Sequence, residues 1–393
     1  MAAPGIANPP KLRMLVVTEC EHFVINGQVA APRHFRREID LWARMFSHVE
    51  LITRFPPWPI PRDADGYESK KIDFVVGNGA FSRGVADKVL SLARSTVAAA
   101  RIVRCTFRAD VVHIRCPARN ALIALLVQRL IPRPLYVKWA GEWAAPDKMP
   151  LSSRLQRRLL FGLRRPLVVT VYELRPGDPE WVQEVVTTSV SRKEIERALA
   201  TPTHKNEASK LLLWVGRMSP NKNVIPMLKG LVPLFQDDPR VNLHLAGEGS
   251  ELLRIEEEVK RLQLEGRVVF HGSLPWHELC DLYRRAHLLL LPSGSEGFPK
   301  VVHEAALFGT PSVVFAIAGL PRIVAGRGIA VEPTEDFSSY ANAVRRLLDA
   351  PALWAELSKS AGAWAREICI EEVVDRYRTL CADAWGIDLP QIN

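Results

Sequence analysis

The stretch from His287 to Gly309, HLLLLPSGSEGFPKVVHEAALFG, gathers the residues of this chain best suited to chemistry on a polar ligand. An apolar strand runs into a Ser/Gly loop. Pro299 then stands where a helix begins, its fixed φ suited to a first turn. The free N–H groups of such a helix start favour a phosphate. Glu296 lies in the loop and Glu304 in the helix. At that spacing they do not converge on one reacting atom; they can hold two parts of one extended ligand. Carboxylates accept hydrogen bonds from hydroxyls, the groups a sugar mostly offers. The alternative is a loop Glu and a helix Glu in surface salt bridges.

A second constellation, WVGRMSPNKN, places Gly216, Arg217 and Lys222 just after another apolar strand. Arginine offers a planar fork and lysine a mobile point charge, a pair that suits a diphosphate. The alternative is an ordinary basic surface loop. Gly247 and Gly249 in LHLAGEGSELL, and Gly272 in VVFHGSL, follow further strands. A lone G-x-G is weak evidence of a ligand loop.

The elements that must position these residues follow from hydrophobic periodicity. Strands are predicted at 12–18, 49–54, 72–77, 110–115, 134–140 and 166–172, with helices at 33–46, 82–107, 118–131 and 154–163. VQEVVTTSV closes this half. A turn is expected near Asn26–Gly27, and a Pro-rich loop at 55–66. The polar segment 199–209 is the expected linker. The alternation then restarts, with strands at 210–217, 241–247, 267–273, 287–292 and 311–317, helices between them, and further helices from 337 to 384. Strands alternating with helices make doubly wound parallel sheets. The expected organisation is two Rossmann-like domains, 1–200 and 201–370, facing a cleft, with 371–393 as a C-terminal helix. Parallel sheets bind ligands beyond the C-terminal ends of their strands.

Composition sets the bounds. The chain has 393 residues, 48% hydrophobic and 24% charged, an ordinary globular balance. Six cysteines without a CxxC pair exclude a disulfide scaffold and a zinc ribbon. No metal site is expected. The longest apolar runs fall well short of a membrane span. The N-terminus, MAAPGIANPP, has no signal-peptide pattern, and the expectation is a cytoplasmic protein. The net charge of +9 is uneven, with +12 in residues 1–200 and −3 in the remainder. A basic half attracts anionic partners or is simply a solvated face.

The order strand, GSEGFP loop, helix with Glu304-Ala305 resembles the donor site of retaining GT-B glycosyltransferases, in particular glycosyltransferase family four (glycosyl transferases group 1). The resemblance rests on two glutamates with seven residues between them, Glu296 and Glu304, and on the Gly216-Arg217 pair followed by Lys222. It implies a GT-B fold and transfer of a sugar from a nucleotide-diphosphate sugar, UDP- or GDP-linked, to an acceptor hydroxyl with retention, without metal or further cofactor. It implies that Glu296 meets the donor sugar, that Glu304 meets the ribose, and that Arg217 and Lys222 grip the diphosphate. It also implies that the backbone at Gly297, Phe298 and Pro299 approaches the donor. Gly247, Gly249 and Gly272 would line the nucleotide, with Ser273 and Leu274 at the base. Arg322 stands where the family often has a glutamate.

The N-terminal half matches less well. Only Gly27 remains of the family's glycine-rich loop after the first strand. DVVHIRCP resembles the family's strand ending in histidine, which places His113 in the cleft with Arg115 beside it; the alternative is a structural histidine. In KWAGEW, the two tryptophans, Lys138 and Glu142 are candidates for the acceptor, or Trp139 and Trp143 are core. Asp63-Ala64-Asp65 has the letters of a metal-binding DxD motif, but its Pro-rich surroundings make it a turn. The helix within 154–165 carries five arginines among leucines. It suits an anionic membrane surface or buries one face in its own domain. The expected acceptor is a glycan or a lipid-linked sugar in glycan, polysaccharide or glycolipid biosynthesis, met by an enzyme on the inner face of the cytoplasmic membrane. Competing readings are a GT-B sugar-nucleotide epimerase and a non-catalytic basic protein that binds nucleotide or nucleic acid. No nucleic-acid-binding motif is apparent.

Overall fold

The computed structural model describes residues 11–392 apart from 58, 78–84, 146, 148, 165, 202–204 and 207; of residues 85–94 it describes only the helical backbone. The chain forms two compact units. The first comprises Met1–Ser189 and Ile370–Asn393, the second Val190–Cys369.

In chain order the first unit contains β1 (Arg13–Glu21), β2 (Phe23–Ile25), β3 (Gln28–Pro32), α1 (Arg33–Met45), β4 (His48–Arg54), β5 (Ala64–Gly66) and β6 (Ile72–Val76). It continues with α2 (Val85–Arg108), β7 (Val111–Cys116), α3 (Arg119–Leu130), β8 (Leu135–Trp139), α4 (Leu151–Phe161), β9 (Leu167–Val171) and β10 (Val182–Glu184). The seven-stranded parallel sheet runs β10-β9-β8-β7-β1-β4-β6. Its central strands are largely buried on both faces, as strands covered by helices on both sides are.

The second unit contains α5 (Arg192–Ala200), β11 (Lys210–Val215), α6 (Val224–Asp237), β12 (Val241–Ala246), α7 (Leu252–Arg261), β13 (Val268–Gly272), α8 (Trp276–Arg285) and β14 (Leu288–Leu291). It ends with α9 (Lys300–Leu307), β15 (Ser312–Phe315), α10 (Leu320–Val324), β16 (Gly328–Val331), α11 (Ser338–Asp349) and α12 (Pro351–Arg366). Its six-stranded parallel sheet runs β13-β12-β11-β14-β15-β16. α5 starts on a capping box between Ser191 and Glu194 and precedes the polar segment 199–209. A last helix, α13 (Ile370–Trp385), returns to the first unit, where Tyr377 stacks on Trp42 at 6.5 Å.

Several elements depart from the sequence expectation, among them the short helices α5 and α10, which it did not include. The segment after β1 is a hairpin rather than a simple turn: β2 and β3 pair antiparallel, and β5 adds to β3. Asn26 and Gly27 both have positive φ, the requirement of the two-residue turn that Asn-Gly favours. The Asp63-Ala64-Asp65 stretch enters β5 rather than forming only a turn, and Arg36 reaches Asp65 at 3.7 Å. The short strand β16 was not foreseen; its four residues carry a Gly and only half-buried side chains, too little pattern to read.

Candidate functional site

The site is set by strand order. In the second sheet the winding reverses between β11 and β14, and a doubly wound sheet opens a crevice at such a point. Pairing of β11 with β14 is confined to Leu212↔Leu288 and Leu213↔Leu289. Beyond it the two chains part, one into Gly216–Asn223 and the other into Pro292–Pro299.

Two asparagines tie these loops together. The Asn223 side-chain amide donates to the Pro292 carbonyl at 2.9 Å, and that of Asn221 to the Ser295 carbonyl at 3.0 Å. The Gly294 N–H donates back to the Asn221 carbonyl at 2.8 Å. Asn223 takes a left-handed φ of 53°, which asparagine tolerates better than most residues. The lacing brings Lys222 Nζ to 2.5 Å from Glu296 Oε1. Lys222 and Glu296 are mostly but not wholly buried, whereas Arg217 is exposed. Arg217 makes no hydrogen bond or ion pair with the described residues. α9 starts at Pro299 with no side chain capping its N-terminus, so its first N–H groups face the same loop.

Glu304 lies on α9, 7% exposed, and accepts a hydrogen bond from the Tyr283 hydroxyl at 3.1 Å. Tyr283 on α8 is fully buried and stacks on Phe308 at 5.9 Å. Trp276, the first residue of α8, packs 6.4 Å from Tyr283. One aromatic group thus connects the turn after β13 to the Glu304 carboxylate.

Two of the glycine positions, Gly247 and Gly249, have a steric cause. Gly216 N–H donates to the Ala246 carbonyl, Met218 N–H to Glu248, and Gly247 N–H to Gly272. A Cβ on Gly247 would stand 1.8 Å from the Gly216 carbonyl oxygen, and one on Gly249 2.1 Å from that of Met218. The loops after β11, β12 and β13 therefore pack backbone against backbone. Glu248 Oε1 lies 3.3 Å from the Ser273 N–H, and Leu274 follows on the way into α8.

The first unit also has a switch point, between β1 and β7. There Glu19 Oε1 accepts the Asn120 N–H at the start of α3, at 2.9 Å. The chain's own carboxylate occupies the place at this helix start that an anion would take.

Several sequence candidates in this unit are corrected. His113 is in the middle of β7, not at its end, and is fully buried between Trp42 and Tyr136, with ring centroids at 5.8 and 4.7 Å. Burial lowers its pKa to about 3, with the Arg115 charge adding to the effect. It is a neutral core ring and offers no proton to a ligand. Gly27 turns the β2–β3 hairpin and is not part of a glycine-rich loop. Trp139 and Trp143 pack edge to face at 5.1 Å in the core, with the Trp143 N–H donating to Asp178 at 2.7 Å. Glu142 offers its backbone carbonyl to Trp139 at 3.4 Å.

Lys138 and Arg115 have a partner that sequence reasoning missed. Glu38 on α1 accepts from Lys138 Nζ at 2.6 Å through one carboxylate oxygen and from Arg115 at 2.9 Å through the other. These charges hold the Glu38 carboxyl below the ordinary range although its burial acts the other way. Glu38 is 100 residues from Lys138 in sequence, so no local pattern pairs them. Asn221, Asn223 and Tyr283 were missed as well; the Asn-x-Asn spacing beside Pro220 was the available signal for the first two. Arg322 sits exposed in α10. Among the described residues no group of three or more His, Cys, Asp or Glu could hold a metal ion, and no helix is long and apolar enough to cross a membrane.

Residues 196–366 match the family model of glycosyl transferases group 1. Mannosylfructose-phosphate synthase of Agrobacterium fabrum is 37% identical over 123 residues, 29% of this chain and 27% of that protein. D-inositol 3-phosphate glycosyltransferase 2 of Catenulispora acidiphila is 30% identical over 241 residues, 55% of this chain and 56% of that one. These matches thus span at most about half the length of the relatives. The crystal structure of Anabaena HepE in complex with UDP-glucose superposes with a TM-score of 0.67 at 16% identity, covering 96% of this chain and all of that one. The two parallel-sheet units have the GT-B fold, and residues 196–366 are similar to the glycosyl transferases group 1 family.

Proposed function

We propose that the protein is a retaining glycosyltransferase whose second unit binds a nucleotide-diphosphate sugar at the β11/β14 switch point. The observation that carries this reading is the Lys222–Glu296 pair, held by the two asparagine bridges beside the exposed Arg217 and the uncapped start of α9. Arg217, Lys222 and the α9 N–H groups take the diphosphate, with the backbone of Gly297, Phe298 and Pro299 beside it. Glu296 takes the sugar hydroxyls and Glu304 the ribose, while Gly216, Gly247, Gly249 and Gly272 let the loop backbones close around the nucleotide. Ser273 and Leu274 meet the base. The matched family and the UDP-glucose in the HepE structure support a nucleotide-sugar donor.

In the reaction the bond between the sugar C1 and the diphosphate oxygen breaks, and a bond from C1 to the acceptor oxygen forms on the same face. The acceptor proton passes to the departing phosphate. Negative charge grows on the diphosphate, where fixed cations stabilise the transition state more than the ground state. No metal is needed for that role. The acceptor is a glycan or lipid-linked hydroxyl, and the excess positive charge of the first 200 residues supports a location at the inner face of the cytoplasmic membrane.

A thermal-shift panel of UDP, GDP, ADP and dTDP on wild type and Arg217→Ala tests the reading. A ligand that binds only the folded state raises its apparent stability. One nucleotide is expected to raise the Tm by several degrees, and Arg217→Ala to abolish the shift. A folded wild type indifferent to all four would overturn the reading.

Tyr283 acts through Glu304. Tyr283→Phe keeps the ring packing and removes one hydrogen bond to a carboxylate, a contribution of about 1.5–3 kcal/mol. The expected result is a KM for the donor raised roughly tenfold with kcat within about twofold. An unchanged KM would show that Tyr283 only packs.

A further inference from the structure

Helix α4 buries polar side chains and exposes apolar ones among its arginines. The side against its own domain carries Ser153, Gln156 and Leu160, and Gln156 accepts the Ala118 N–H at 3.1 Å. At 100° per residue, Leu151, Leu155 and Arg158 fall on the opposite side, with Arg154 and Phe161 at its margin. Leu151 is 81% exposed, and Leu155 and Phe161 are each about half exposed. A helix facing water ordinarily shows it polar residues. α3 packs against α4 and carries two exposed leucines of its own, Leu126, half exposed, and Leu130, 82% exposed.

Arginines surround these leucines. A cavity of about 360 Å³ opens on α4, lined by Asp147, Arg154, Arg157, Arg158 and Phe161. Arg154 is braced by the Met149 carbonyl at 2.9 Å and by that of Asp147. Arg157 lies over the Trp143 ring at 4.5 Å and is paired with Asp178 at 3.3 Å. Arg158 makes no hydrogen bond or ion pair with the described residues. Charge therefore exceeds its internal partners at a hollow edged by exposed apolar side chains.

We propose that the α3–α4 face docks on an anionic phospholipid bilayer. A lipid phosphate sits in the hollow among Arg154, Arg157 and Arg158, and acyl chains lie against Leu151, Leu155 and Phe161. Phosphate suits guanidinium forks, and half-exposed leucines beside arginines suit the boundary between headgroups and acyl chains. A nucleic acid would use the arginines and leave the leucines in water. The inference names the lipid contact for the membrane placement proposed above and rests on that placement. It is independent of the donor chemistry.

The test uses the full chain with two kinds of vesicle, pure phosphatidylcholine and a mixture containing about one-third phosphatidylglycerol. Retention on the anionic vesicles is expected to be at least about tenfold higher at low salt and to fall as salt screens the arginines. Arg158→Glu, and separately the double variant Leu151→Ser/Leu155→Ser, should each lower it about tenfold. Both alter exposed positions and should keep the wild-type Tm and any nucleotide-induced shift. Equal or absent retention on the two vesicles overturns the proposal, as does wild-type retention by the double variant. Displacement by millimolar inorganic phosphate with no effect of the leucine changes would assign the hollow to a soluble phosphate and also overturn it. Because retention is read without turnover, a failed donor site and a failed lipid contact give different results.

Discussion

Lys222→Met is expected to lower kcat by roughly a hundred- to a thousandfold, the cost of removing one preorganised charge from a developing oxyanion. Two properties of Lys222 make it the position of largest effect. Its ammonium is anchored on Glu296 at 2.5 Å, and the loop bearing it is fixed by the Asn221 and Asn223 bridges. Little reorganisation is then needed when charge grows on the leaving diphosphate. The same anchoring predicts a two-sided failure: without Lys222 the Glu296 carboxylate loses its partner, so sugar positioning suffers with charge stabilisation. Glu296→Gln should depress kcat too, and the double variant should be far from the product of the two single effects, because the residues act as one unit. Single-turnover rates with donor at saturation give the relevant comparison, with the Tm of each variant as a check on folding. A Lys222→Met enzyme within tenfold of wild type would remove this pair from the chemistry.

The largest effect on stability is expected from Gly247→Ala. At φ +143° the backbone is in a region that L residues rarely enter, and the added Cβ would stand 1.8 Å from the Gly216 carbonyl oxygen. The obstruction is backbone, so no side chain can turn aside. Either the loop after β12 moves off the loop after β11, or the hydrogen bonds from Gly216 N–H to Ala246 and from Gly247 N–H to Gly272 open. Backbone strain combined with lost buried hydrogen bonds belongs among the severe single substitutions, above about 4 kcal/mol. For a unit of this size that corresponds to a fall in Tm of roughly 10 °C or more. Nucleotide binding should go with it, because the loop that the added Cβ presses against bears Arg217. Gly266→Ala is the control: nothing lies within 4 Å of the Cβ it would add, and its Tm should be nearly unchanged. A Gly247→Ala protein with wild-type Tm would contradict the close packing of these loops.

Much of the chain's organisation is local and therefore legible in sequence. The alternation of apolar strands with amphipathic helices places nearly every major element, because burial on a parallel sheet and the 3.6-residue period each leave a short-range pattern. The order of Gly216, Arg217, Lys222, Glu296 and Glu304 along strand ends is equally local, since each stands beside the strand that carries it. Even the β2–β3 hairpin had a signal in Asn26-Gly27, although the turn alone was read from it.

Tertiary structure decided what depends on partners distant in sequence. Which strands flank the switch point follows from how the crossovers wind, and only that order sets the loop after β11 against the loop after β14, 74 residues apart at the Lys222–Glu296 pair. The strand pattern of DVVHIRCP does not show that Trp42 and Tyr136 close over His113, turning a candidate ligand contact into a neutral core ring. Nor does a basic, leucine-containing helix show which of its faces is covered. In α4 the packing hides Ser153 and Gln156 and leaves Leu151 and Leu155 in water, because the segment leading into α3 supplies the Ala118 N–H that Gln156 accepts.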